Sequence, residues 1–373
     1  MALSQTLRIA TSLLVSGAIG CATDPGGGQG DPLAYVLGVD AAENPVVVRV
    51  SGPRLLVTAT VRARGDSQFN VGLALDASSG RLYWTYRGAL APTEWTVAEL
   101  TDALVETRRA SSSTIPGADS LGPDRPLVPL PQCGFLAMNF GAPQDTGAQR
   151  RGVLLLRVAD FALAGRLNGF YLLGRRSASS CDLLVVRVGT GGIPGDNWIH
   201  AIDARALALG DSFPIPSNAL FVAPGPQPSS VYLSVGDRLM LLDGSTQQVI
   251  AATTLGFRGQ LGLGGPFARD AERGWVVVGD PGLYETGGGD TVLVLDASNL
   301  TRVGAFGVLR NAPAWRTTGE IATASQSGDI LVLLKPAPFY AGGSGSLVLL
   351  RTGHPWPLAQ SADVPAAWGL IAR

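Results

Sequence analysis

One phrase recurs along this chain: an apolar, β-rich run, an acidic residue, a short turn and a second apolar run. It reads "YVLGVDAAENPVVVRV" around Asp40, "VGLALDASSGRLYWTY" around Asp76, "WIHAIDARALALGDSF" around Asp203, "LMLLDGSTQQVIAATT" around Asp243 and "VLVLDASNLTRVGAF" around Asp296. Two degenerate copies complete the set: "VLLLRVADFALAGRL", with the acid displaced to Asp160, and "SLVLLRTGHPWPLAQ", with Arg351 in the acidic position. Each copy has the form of a β-hairpin, because an Asp at a turn accepts hydrogen bonds from the backbone amides that follow it. An acid placed for that reason in turn after turn is a cap before it is a ligand or a catalyst.

Another strand-like run stands upstream of most hairpins, as in "PRLLVTATVR", "CGFLAMNF", "CDLLVVRVG", "SVYLSVGD", "RGWVVVGD" and "GDILVLLKP". Three or four strands per unit, recurring at about 40 to 55 residues, is the pattern of propeller blades. The chain therefore reads as all-β, a seven-bladed β-propeller over 32–373, with six and eight blades as the neighbouring counts. Strands in such a ring are covered on both faces, which accounts for runs that are apolar at consecutive positions instead of alternate ones. The segment "TVAELTDALVETRRA" at 96–110 is the one amphipathic helix candidate, and 97–130 is read with it as an insertion. The first hairpin starts close to residue 32 and lacks inner strands, while "AAWGLIAR" at 366–373 is a spare strand. Pairing the two closes the ring and removes its exposed edges.

Hydrophobic residues make up 46% of the 373, too many for a disordered chain. The 28 basic and 29 acidic residues nearly cancel and no basic run is present, which argues against nucleic acid as a partner. "RGDS" at 64–67 matches an adhesion tripeptide too short to weigh, and "GLGG" and "GGG" lack the strand-to-helix setting of a phosphate loop. His200 and His354 are the only histidines, so a His-based triad or multi-histidine metal site has little to be built from. No catalytic residue, cofactor or metal ligand is assigned, and the reading leans away from an enzyme.

"MALSQTLRIATSLLVSGAIGC" opens with Arg8, continues through an apolar stretch too short to span a bilayer and ends in small residues, the form of a secretory signal over 1–20. Ala18-Ile19-Gly20-Cys21 resembles the bacterial lipoprotein processing box, with Ala18 where that box usually has Leu. The resemblance implies that Cys21 is acylated and becomes the mature N-terminus. The Gly-rich stretch over 21–31 then serves as a tether. Ala22 in place of an Asp favours the outer membrane over the inner. Cys133 and Cys181 are an even pair in an oxidising compartment and are the disulfide candidate, with two separate buried thiols as the alternative.

"LALDASSGRLYWTYRG" resembles the repeat of pyrroloquinoline-quinone-type propellers, where an Asp, a Gly turn and a Trp recur. Only 71–88 match well; the other copies resemble more generally the propeller repeats of bacterial surface and lactonase-like proteins. The resemblance concerns architecture and specifies no active site. Long loops persist where they work, and the connections "RGDSQFN", "GAPQDTGAQRR", "TGGIPGDNW", "DPGLYETGGGD" and "PAPFYAGGSGS", read as joining second to third strands, are long and chemically varied. They define a candidate ligand face comprising Asp66, Asp145, Arg151, Asp196, Trp198, Asp280, Tyr284 and Tyr340. The expectation is a monomeric, envelope-anchored binding or scaffold module for an envelope protein, a small molecule or a glycan. The alternatives are a lactonase-like or quinoprotein-like enzyme and an outer-membrane assembly scaffold.

Overall fold

The computed structural model describes residues 32–40, 44–52, 54–63, 72–88, 91–117, 123–141, 151–177, 179–188, 194–219, 221–257, 259–261, 265–282, 289, 291–307, 316–323, 329–336, 345–350, 358–364 and 366–372. The segments expected to be a signal and a tether, 1–20 and 21–31, lie outside them. Asp31–Arg373 forms one compact unit. It is built almost entirely of strands, with single 3₁₀ turns at Ser112–Thr114 and Pro131–Cys133. No helix among the described residues is long and apolar enough to cross a membrane.

Seven four-stranded antiparallel sheets form the ring. Blade 1 joins β1 (Pro32–Val39), β2 (Pro45–Ser51) and β3 (Leu56–Arg62) to β28 (Ala366–Ala372), in the order β28-β1-β2-β3. Blade 2 holds β4 (Gly72–Asp76), β5 (Arg81–Gly88), β6 (Ala91–Leu100) and β7 (Glu106–Ser111). Blade 3 holds β8 (Pro123–Leu130), β9 (Phe135–Phe140), β10 (Gly152–Arg157) and β11 (Leu163–Asn168). Blade 4 holds β12 (Phe170–Arg175), β13 (Asp182–Val188), β14 (Pro194–Asp203) and β15 (Ala208–Pro214). Blade 5 holds β16 (Phe221–Pro224), β17 (Ser230–Val235), β18 (Arg238–Asp243) and β19 (Gln248–Thr254). Blade 6 holds β20 (Phe267–Asp270), β21 (Trp275–Gly279), β22 (Thr291–Asp296) and β23 (Arg302–Gly307). Blade 7 holds β24 (Arg316–Thr323), β25 (Ile330–Pro336), β26 (Gly345–Leu350) and β27 (Leu358–Val364).

The first strands of neighbouring blades meet around the axis: β28 with β4, β4 with β8, β8 with β12, β12 with β16, β20 with β24 and β24 with β28. Middle strands are therefore covered on both faces. Every residue of β2 is buried, whereas β3 and β19 on the outer edge are mostly exposed. The core divides into seven apolar clusters, one between each pair of adjacent blades. Closure is shown twice. β28 pairs antiparallel with β1, Val36 opposite Leu370, and Val36 and Val48 of blade 1 pack with Leu333 and Leu349 of blade 7.

Two expectations are corrected by this topology. The segment 97–130 is no insertion, and its described residues carry no α-helix: it spans the end of β6, all of β7 and the innermost strand β8. Val97, Ala98 and Leu100 are all fully buried, a pattern that a strand sandwiched between blades satisfies on both faces. The seven aligned hairpins also prove non-equivalent. Those at Asp160, Asp203, Asp243, Asp296 and Arg351 join third to fourth strands, but Asp76 lies between first and second, and Asp40 between second and third.

What recurs is a turn. Four residues after Asp76, Asp203, Asp243, Asp270 and Asp296 stands a residue in the left-handed region: Gly80, Leu207, Gln247, Gly274 and Leu300. Phe161 takes the same place after Arg157. First-to-second and third-to-fourth turns emerge at the same end of a blade, so one turn chemistry serves both. A sequence alignment on that turn cannot tell the two apart.

Candidate functional site

The two ends of the ring differ. The segments 63–71, 112–122, 141–151, 255–266, 280–290, 308–315 and 337–344 all join strand ends at one end. The connections at the opposite end are shorter, from four residues at 77–80 to the seven that separate β26 from β27. The asymmetry is uneven, since 89–90 in blade 2 and 236–237 in blade 5 are tight connections at the loop end. "RGDSQFN" joins blade 1 to blade 2, between β3 and β4, not a second strand to a third.

Of the candidate ligand-face residues, Asp66, Asp145, Tyr284 and Tyr340 lie outside the described residues, as does Cys21. Asp196 belongs to β14, where its backbone alone is described. Trp198 follows on the same strand, opposite Pro214, with 42% of its surface exposed. Arg151 is buried immediately before β10, and its carbonyl accepts the Gly169 amide. Asp280 is also buried; its Oδ1 accepts the amides of Gly282 (2.9 Å) and Gly259 (3.2 Å), tying the connection from blade 5 to the loop that follows β21. The fit is close, because a Cβ on Gly259 would lie 2.1 Å from the Gly282 carbonyl oxygen. Arg151, Trp198 and Asp280 thus stand on blades 3, 4 and 6 at the loop end.

The turn end carries a charged cluster that sequence reasoning missed. Glu99 interrupts the apolar run of β6, and its buried carboxylate receives Arg108 Nη2 at 2.6 Å, Arg81 Nη1 at 3.4 Å and Thr107 Oγ1 at 2.9 Å. The Arg108 guanidinium lies over the Phe161 ring at 4.4 Å, and Tyr83 meets that ring edge-on at 6.4 Å. Burial raises the pKa of the Tyr83 phenol, and Glu99 and Asp76 raise it further. Burial also works against the Asp76 carboxylate, but bonds from the Ser78 and Ser79 hydroxyls and amides outweigh it and hold Asp76 below its usual value. The one signal available in sequence was Glu99 itself, an acid between Ala98 and Leu100.

Beside this cluster is a half-open cavity of about 150 Å³. Asp76, Ser79, Arg81 and Tyr83 of blade 2 line one side, and Pro129, Val158 and the β8–β9 turn of blade 3 line the other. Cys133 lies in that turn. It is bonded to Cys181, just before β13, with the Cα atoms 6.0 Å apart, so the bridge joins blades 3 and 4.

The repeated acids act within their turns. Asp296 Oδ1 accepts Ser298 N (2.8 Å), Ser298 Oγ (2.6 Å) and Asn299 N (3.1 Å); Asp243 does the same with Ser245. Trp84, the aromatic residue of the quinone-type resemblance, is buried between blades 1 and 2, and its Nε1 has no hydrogen-bond partner among the described residues. His200 Nδ1 is 2.8 Å from Ser212 Oγ. Among the described residues no three or more His, Cys, Asp or Glu side chains are grouped to hold a metal ion.

No family model and no curated protein matches the chain. Solved structures do. A hypothetical selenium-binding protein from Sulfolobus tokodaii superposes with a TM-score of 0.64 at 13% identity, over 91% of this chain and 93% of that one. Apo AztD from Citrobacter koseri gives a TM-score of 0.53 at 11% identity, over 92% and 98%. The dihydro-heme d1 dehydrogenase NirN, solved in complex with DHE, gives 0.55 at 11% identity, over 92% and 76%. At such identities the likeness is one of fold, and the chain is a seven-bladed β-propeller with neighbours of mixed function.

Proposed function

We propose that this protein is an envelope-anchored binding or scaffold module that presents the loop end of its propeller to a partner. The observation that carries the reading is the collection of long connections at one end of a ring whose other end has shorter ones. A rigid ring can hold groups from distant sequence positions around one face, and loops that cost ordering entropy are kept where they act. Trp198 supplies exposed aromatic area at that end, the kind of anchor that dominates interfaces. Anchoring rests on the lipoprotein-type box ending at Cys21, and a Cys133–Cys181 bridge accords with an oxidising compartment.

Two measurements test the two halves of this reading. Shortening 142–150 and 283–288 together leaves Arg151 and the Asp280–Gly282 brace intact, and is expected to change the set of envelope proteins or glycans retained in a pull-down. An unchanged set, with the ring still folded by circular dichroism, overturns the loop face. Replacing Cys21 with Ser is expected to release the protein from the membrane fraction; retention there overturns the anchor.

A further inference from the structure

We propose that the cavity between blades 2 and 3 at the turn end is a binding site for one neutral, hydroxylated six-membered ring, a monosaccharide or the terminal residue of a glycan. Its volume of about 150 Å³ is that of a cavity holding one benzene-sized ring, so a pyranose would seat part of its ring there and leave its other substituents at the open side. Because the cavity is open on one side, the remainder of a longer glycan has a path to solvent.

Chemistry then selects the kind of ring. Tyr83 is 2% exposed, lines the cavity and has no hydrogen-bond partner for its hydroxyl among the described residues. The hydroxyl oxygen is not sealed from solvent, so a group entering the cavity can donate to it or accept from it. Asp76 Oδ2 accepts one bond, from Ser79 Oγ at 2.6 Å, and retains acceptor capacity beside it. Arg81, which also lines the cavity, reaches the two Glu99 oxygens through Nη1 at a long 3.4 Å each and has further donors to offer. The carboxylates of Asp76 and Glu99 are opposed by Arg81 and Arg108, so the wall offers no surplus of either sign to an ion. It does offer acceptors and donors together. Adjacent hydroxyls on a sugar ring are both, and satisfy such a wall without burying a net charge. Pro129 and Val158 face the polar groups and give the C–H side of the ring an apolar surface.

The test is saturation-transfer NMR on the full chain with glucose, galactose and N-acetylglucosamine, and with glucosamine and glucose 6-phosphate as charged probes. At least one neutral sugar is expected to receive transfer through its ring protons. Tyr83→Phe removes the hydroxyl and keeps the ring on Phe161; it is expected to weaken binding about tenfold, as one lost hydrogen bond does, with an unchanged melting temperature. Val158→Phe is expected to fill the cavity and abolish binding without altering a polar group. Transfer to none of the neutral sugars, transfer to the charged probes alone, or wild-type binding by both variants overturns the proposal. So does a clear loss of stability in Tyr83→Phe, which would show that the hydroxyl has a partner inside the fold. The cavity lies at the opposite end from the loops, so the two functional readings fail independently.

Discussion

Six described turns place a residue other than glycine in the left-handed region: Leu55, Leu104, Phe161, Leu207, Gln247 and Leu300, with φ between 50° and 62°. For an L-residue this conformation costs about 1–2 kcal/mol. Leu55, Leu104, Phe161 and Leu300 are buried between blades, and burying a side chain of that size is worth about 1.5–3 kcal/mol, so packing outweighs the strain. Gln247 is exposed and has no such offset. The two kinds of site therefore respond oppositely to the same substitution. Gln247→Gly is expected to stabilise the protein by about 0.5–1 kcal/mol, and Leu300→Gly to destabilise it by about 1–4 kcal/mol, both read from urea unfolding midpoints. Stabilisation by both would mean that burial does not hold Leu300 in place. The same residues explain what the sequence hid. Gly80 and Gly274 announce their turns in the usual chemistry, whereas a leucine at that position looks like part of the next strand.

At the level of the element, the turn aspartates link the hairpins to pH. Hydrogen bonds from Ser245 and Ser298 hold Asp243 and Asp296 below their usual 3.8, and the Ala162 amide does the same for Asp160. A carboxylate whose pKa is depressed by folding contributes stability that is complete above the unfolded value and is lost as pH falls through the folded one. Stability is therefore expected to decline from about pH 4 downward, the window set by these shifts. Ser245→Ala with Ser298→Ala should narrow the gap between melting temperatures at pH 7 and pH 3, whereas an unchanged gap would mean the serine bonds leave the acids unperturbed. Strand content was legible because consecutive apolar positions, as in Val46-Val47-Val48, signal elements covered on both faces. Helix and strand were confused at 96–110 because Val97, Leu100 and Leu104 satisfy a helical spacing as well as they fill an interblade core. Hairpin order was not legible, since one turn type serves two places in a blade. The long loops were visible as composition, but the cavity at Tyr83 was not, because only the fold brings blade 3 against it.

For the whole molecule, stability depends on closure. β28 gives blade 1 its innermost strand, and without it the edge of β1, with Val36 and Leu37, loses its pairing partner. Deleting 366–373 is expected to lower the melting temperature, broaden the unfolding transition and produce oligomers by size-exclusion chromatography, because an unpaired apolar edge recruits other chains. A monomeric product with an unaltered melt would show that the other six blades hold together without the closing strand. The pairing also sets an order of events. β1 precedes every other strand of the ring along the chain and β28 follows them all, so joining them fixes the largest loop in the domain, a contact that slows folding more than any local hairpin. Blade 1 is accordingly the first that the chain enters and the last that it completes, and without β28 the ring would be an open arc.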